Sequence, residues 1–110
     1  MVNPRILYRI VKTNPPTLED FTSNAARGQP FTHPDPSRRR LWSGLSFHGT
    51  EAQARRNARR YRTHGSYIAA VEVEDGAPIR VERTLGPGHY TVWGEPSALL
   101  GRCVGVASVG

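Results

Sequence analysis

The stretch LWSGLSFHGTEAQARRNARRY, from Leu41 to Tyr61, constrains the fold more than any other part of the chain. It reads as an apolar strand, Leu41 to Phe47, that breaks at Gly49 and enters a helix at Thr50. Thr50 and Gln53 have capping-box spacing, which fixes where the helix begins. Ala54, Ala58 and Tyr61 then form its buried stripe, Arg55, Arg59 and Arg62 line another face, and His64-Gly65 ends it after Thr63. A junction of this kind sets the strand hydroxyls of Ser43 and Ser46 and the unpaired N–H groups of the helix start beside one cleft, where an anion can be held.

Strands predominate on both sides of the junction. Arg5 to Lys12 alternates, with Ile6, Tyr8, Ile10 and Lys12 on one face and Leu7, Arg9 and Val11 on the other. Thr13-Asn14-Pro15-Pro16 stops it, and Thr17 is placed to cap a short helix, TLEDFTSNAARG, with Asp20 at its third position and Gly28 as its stop. Residues Gln29 to Arg40, rich in Pro and Arg, read as a loop. Tyr67 to Glu74 is a strong strand, and Asp75-Gly76-Ala77-Pro78 predicts a hairpin into Ile79 to Thr84. A strand at His89 to Trp93, a helical turn at Pro96 to Leu100 and a final strand at Gly101 to Val109 complete the order βαβαβββ(α)β. Strands outnumber helices without regular βαβ alternation, so the class expected is α+β. The expected architecture is a mostly antiparallel sheet of about six strands, in one layer or split into two, with two main helices.

The 110 residues fit one domain, residues 1–110, with no room for a second core. One cysteine, Cys103, excludes an internal disulfide and any multi-cysteine metal site, and suits a reducing cytoplasm. No apolar stretch approaches the roughly 20 residues of a membrane helix, and MVNPRILYRIV lacks the long apolar region and small-residue cleavage site of an export signal. The expectation is a soluble, unexported protein without a membrane partner. Four histidines (His33, His48, His64 and His89) show no metal-ligand spacing, so no metal is expected. The net charge of +6 comes from 15 basic residues against nine acidic ones, and Lys12 is the only basic residue that is not arginine. Such a surface attracts nucleic acid, dinucleotides or an acidic protein.

Three segments carry candidate chemistry. Arg9 interrupts the apolar run ILYRIV, where it either snorkels at an edge or presents its planar fork to a phosphate. Ser46, and Ser43 before it, lie just ahead of the break into the helix. HYTVWGEP concentrates His89, Trp93 and Glu95, the last after Gly94, where a loop carboxylate either faces a cleft or stabilises the N-terminus of the turn at Pro96.

An Arg on the first strand, a Ser on the strand entering a helix and a Glu on a late strand resemble the ADP-ribosyltransferase-like superfamily, in its Arg-Ser-Glu branch of compact prokaryotic toxin-like members. The resemblance spans Leu7 to about Val106 and rests on order and context. It implies NAD as substrate and no metal, with Arg9 of LYRIV as the first-strand dinucleotide contact, accompanied by Tyr8. Ser46 of GLSF (or Ser43) matches the serine that supports the nicotinamide ribose, His89 falls among the cofactor contacts, and Glu95 of WGEP matches the catalytic acid. The implied activity is ADP-ribosyl transfer to an acceptor, or NAD glycohydrolysis, as the toxin of a toxin–antitoxin pair. An acidic antitoxin or nucleic acid would be the partner. Protein-arginine modifiers carry a second acid two positions before the catalytic one; here that residue is Trp93, so arginine modification is not implied, and Glu82 is a rival acid. Two alternatives stand beside this reading. One is a non-enzymatic basic module acting through the arginine helix and Arg38, Arg39 and Arg40. The other is a small metal-free ribonuclease using His48 or His89 with Arg9.

Overall fold

A computed structural model describes residues 5–74 and 78–110. Six strands, β1 (Arg5–Val11), β2 (Leu45–His48), β3 (Tyr67–Val73), β4 (Arg80–Arg83), β5 (His89–Trp93) and β6 (Cys103–Ser108), form one sheet in the order β4-β5-β2-β1-β3-β6. Every neighbouring pair is antiparallel. Three helices accompany it, α1 (Arg39–Trp42), α2 (Glu51–Arg60) and α3 (Pro96–Leu100). The class is α+β, as the element order implies. Among the described residues no helix is long and apolar enough to cross a membrane.

The alternation of β1 divides the core. Leu7 and Val11 pack with Phe21, Phe47, Val71, Val92 and Leu99 in the main cluster. Tyr8 and Ile10, on the opposite face, pack against Ala54 and Ala58 of α2 together with Ile68 and Val109. The helix needs no bulkier stripe because two alanines let it lie close to the sheet. Its start is as read from the sequence, with the Thr50 hydroxyl accepting from the Gln53 N–H.

One irregularity of the sheet sets up everything that follows. β1 pairs with β3 along its whole length, from Arg5↔Val73 to Val11↔Tyr67, but with β2 only at Tyr8↔His48. Past Tyr8 the two central strands separate, and the backbone groups that a ladder would have joined must find other partners.

Three expectations are corrected. The strand expected from Leu41 begins at Leu45. Asp35 caps a turn of 3₁₀ helix with Pro36 at its first position, which runs directly into α1 and carries the helical backbone through Trp42. Gly44 then reverses the chain so close to β5 that a Cβ there would collide with the Thr91 side chain. The helix expected over TLEDFTSNAARG is a single 3₁₀ turn, Leu18–Phe21. Its polar side chains compete with the helix: the Thr22 hydroxyl donates to the Leu18 carbonyl and the Ser23 hydroxyl accepts from the Ala26 N–H. Finally, β4 pairs with β5 rather than forming a hairpin with β3, whose flanks are taken by β1 and β6. The tight turn lies at Thr84–His89, where Leu85, Gly86 and Gly88 all have positive φ. The turn expected at Asp75-Gly76-Ala77-Pro78 lies largely outside the described residues.

Candidate functional site

Arg9 sits on the same face of β1 as Leu7 and Val11, so its charged head is directed toward the main core rather than into water. It is half-buried, and the gap between β1 and β2 receives it. Its Nε donates to the Asp20 carbonyl at 2.7 Å and its Nη1 to the Ser46 carbonyl at 3.0 Å, while the guanidinium lies 5.9 Å from the Phe47 ring centre. The side chain thereby joins β2 to the 3₁₀ turn where the ladder is missing. An arginine carries five N–H donors, and the bonds to Asp20 and Ser46 are the ones that Arg9 makes to protein among the described residues. Burial lowers its pKa to about 10, against the favourable charge of Asp20, so it stays a cation at neutral pH.

Asp20 is buried beneath it. Its carboxylate accepts from the Lys12 N–H (2.8 Å), the Thr13 hydroxyl (2.7 Å) and the Thr17 N–H (3.0 Å). Burial alone would push this carboxyl up; the three hydrogen bonds and the Arg9 charge outweigh it and hold the group below the ordinary carboxylate range. The residue that completes the capping box, through the Thr17 N–H, thus also anchors the β1 end, through the Lys12 N–H and the Thr13 hydroxyl.

Two histidines form the other wall. His48 and His89 are register partners on β2 and β5, with ring centroids 5.7 Å apart, edge to face. His48 is buried, its Nε2 lies 3.2 Å from Asn57 Nδ2 on α2, and its Nδ1 has no hydrogen-bond partner among the described residues. His89 Nδ1 lies 3.1 Å from the Thr84 hydroxyl and 3.2 Å from the Thr84 carbonyl; a carbonyl can only accept, so Nδ1 carries the proton and Nε2 is free to accept. Burial, then the neighbouring His89, His64 and Arg9 charges, drive the His48 pKa down to about 4. Burial also lowers that of His89, against a raising contribution from Thr84. Both imidazoles are neutral at pH 7.

These groups line a cleft of about 520 Å³ that brings together Arg9, Asp20, Ser46, His48, Asn57 and His89. Of the residues marked in the sequence, it contains Arg9, Ser46 and His89. The other three lie elsewhere. Tyr8 is on the opposite face of β1, against α2. Ser43 caps α1, its hydroxyl donating to the Arg40 carbonyl at 3.0 Å and accepting from the Trp93 indole at 3.2 Å. Glu95 occupies the N-cap position of α3 and is exposed; its backbone carbonyl accepts from the Leu99 N–H at 3.1 Å, and its carboxylate makes no hydrogen bond or ion pair among the described residues. Glu95 and Ser43 line a second hollow of about 420 Å³, which shares Ser23 and Leu45 with the cleft. Glu82, the rival acid, is clamped by Arg40 in a two-pronged ion pair of 2.6 and 3.1 Å.

Sequence reasoning missed Asp20 and Asn57, and met His48 only as a nuclease base. The capping spacing of Asp20 pointed to a local role and hid a tertiary one. Asn57 carried no signal, since only the return of α2 over β2 brings it to His48. The assembled cleft offers a fixed cation with unengaged N–H donors beside neutral imidazoles, a set suited to a phosphate-bearing ligand with hydroxyl groups. In comparisons with known proteins, no family model, no curated protein and no solved structure matches this chain.

Proposed function

We propose that the Arg9 cleft binds NAD and that the protein breaks the nicotinamide–ribose bond, passing ADP-ribose to an acceptor or to water. The observation that carries this reading is Arg9 itself: a permanent cation seated in the split between β1 and β2, with Ser46 and His89 on the walls around it. The cleft volume of about 520 Å³ is within the roughly 300–1,000 Å³ usual for small-molecule sites. In the reaction the C–N bond breaks with its electron pair leaving on the nicotinamide nitrogen, which becomes neutral. The ribose is left as an oxocarbenium-like cation, and a lone pair of the acceptor closes on it while the acceptor proton goes to solvent. Arg9 binds the pyrophosphate, and the Ser46 hydroxyl and His89 Nε2 are hydrogen-bonding groups for ribose. Glu95, in the adjoining hollow, is the carboxylate that would oppose the developing cation, with the ligand extending past Leu45 to reach it. A reducing cytoplasm, where Cys103 remains a thiol, is the compartment that suits it.

The nuclease alternative is less well supported. A metal-free phosphodiesterase needs one imidazole in its protonated, cationic form to serve as acid, whereas burial brings His48 down to about 4 and lowers His89 as well, so both are neutral imidazoles at pH 7.

Incubation with NAD, with nicotinamide release followed by chromatography, tests the proposal. The parent should turn over; Glu95→Gln should lose about 10²-fold or more in kcat, as expected when an electrostatic stabiliser is removed; Arg9→Lys should raise KM. A parent that neither binds NAD nor releases nicotinamide, or a Glu95→Gln variant with full turnover, would reject it.

A further inference from the structure

Outside the cleft, the segment 29–43 and the β4–β5 pair build a second surface. Phe31 and Trp42 meet edge to face with ring centroids 6.1 Å apart, and the Arg39 guanidinium lies over Phe31 at 5.8 Å. The Trp42 indole N–H donates to the Gln29 carbonyl at 3.0 Å. Trp93, on β5, is fixed in the same way: its N–H donates to the Arg40 carbonyl and to the Ser43 hydroxyl, both at 3.2 Å, and Arg80 lies 5.5 Å over its ring. The three rings are half-buried and Arg38, Arg39 and Arg80 are exposed. Arg40 is paired with Glu82, but among the described residues no carboxylate lies within ion-pair distance of Arg38, Arg39 or Arg80.

A merely solvated run of arginines has no use for two indoles held in place by their own N–H groups and a phenyl ring packed against one of them. Pinned rings interleaved with unpaired guanidinium groups match the recognition chemistry of unstacked bases on a phosphate chain. The geometry points to this surface as a binding site for single-stranded nucleic acid, with bases stacked on Phe31, Trp42 and Trp93 and phosphates paired by Arg38, Arg39 and Arg80. A duplex hides its base faces from such rings, and an acidic protein would engage the charges without them. The site shares no residue with the Arg9 cleft and stands independently of the NAD reading.

Trp42 and Trp93 are the two tryptophans of the chain, so their fluorescence reports directly on occupancy. The intact protein is titrated with oligodeoxythymidine of about a dozen nucleotides, a length that covers a single-strand site. Quenching is expected, and log affinity should fall with log salt at a slope of about −2, three phosphates at about −0.7 each. Phe31→Ala should weaken binding about tenfold, the scale of one lost stacking contact, and Phe31→Tyr should restore it. Arg39→Ala should weaken binding and reduce the slope by about 0.7, without changing the circular dichroism melt. Arg56→Ala, on the outer face of α2, should change nothing. Absence of quenching at low salt overturns the assignment. So does equal binding of heparin or polyglutamate with Phe31→Ala and Phe31→Tyr both at parental affinity, which marks a charge-only surface. Loss of binding in Arg56→Ala moves the site to α2 and overturns it as well.

Discussion

The Arg9 cleft and the Glu95 hollow adjoin, sharing Ser23 and Leu45, yet they hold their ionisable groups in different ways. In the cleft, Arg9 is tied to two carbonyls, Asp20 to three donors, and the two imidazoles are kept neutral by burial. In the hollow, the Glu95 carboxylate projects from the start of a five-residue helix with no hydrogen-bond or ion-pair partner among the described residues. The first arrangement commits side chains to the fold and to a ligand together; the second leaves one free to act or to be lost without structural consequence. A group that replaces missing backbone pairing is preorganised because the chain cannot close without it.

Arg9→Met is the harshest test of that contrast. Methionine keeps much of the stem and leaves the part-buried Asp20 carbonyl and the exposed Ser46 carbonyl without this donor, at an expected cost of about 1–3 kcal/mol, the range for stranding one part-buried acceptor. Urea denaturation measures it. If Arg9→Met proves no costlier than Glu95→Ala, the arginine is a passenger in the gap and the contrast collapses.

The next effect is a pH dependence that the cleft should show and the hollow should not. Free histidine titrates near 6.5, whereas His48 in the fold is held to about 4. Below pH 6.5 the unfolded chain takes up a proton that the folded chain refuses, so stability falls as pH drops from 6.5 toward 4 and is level above it. With allowance for partial solvent screening, the loss is about 1–2 kcal/mol. His48→Leu should flatten this part of the stability curve, while Glu95→Ala should leave it as in the parent. A curve with the same slope in His48→Leu would place the titration elsewhere, for instance on His89, whose pKa burial also lowers.

Legibility in the sequence followed the reach of each interaction. The β1 alternation, the Thr50 cap, β5 and α3 depend on neighbours a few residues apart, and all appear where their patterns place them. Arg9 was legible as an anomaly because a charge in ILYRIV must be answered by something. What answers it was not legible: the Asp20 and Ser46 carbonyls are 11 and 37 residues away, and carbonyls have no sequence signature. The start of β2 was misread because LW looks like strand, while the helical run that carries it begins at Asp35-Pro36. The β4–β5 pairing was hidden for a similar reason, since Asp75-Gly76 resembles a hairpin turn more strongly than Leu85-Gly86-Pro87-Gly88 does.

The smallest expected effect separates backbone from side chain at a single residue. Arg9 is bound by the carbonyl of Ser46, not by its hydroxyl, and the side chain is exposed at the cleft. Ser46→Ala keeps the carbonyl in place through the unchanged pairing of Ser46 with Thr91 on β5, so stability should shift by no more than about 0.5 kcal/mol, the usual range for a surface substitution. Glu95→Ala should fall within the same limit. The two part company in ligand assays: under the NAD proposal Ser46→Ala raises KM with little change in kcat, because a ribose contact made equally in ground and transition states is lost, whereas a change at Glu95 lowers kcat. A melting curve for Ser46→Ala as damaged as that of Arg9→Met would mean that the hydroxyl helps to hold the gap, and the serine would then belong with the arginine as part of the fold's own closure.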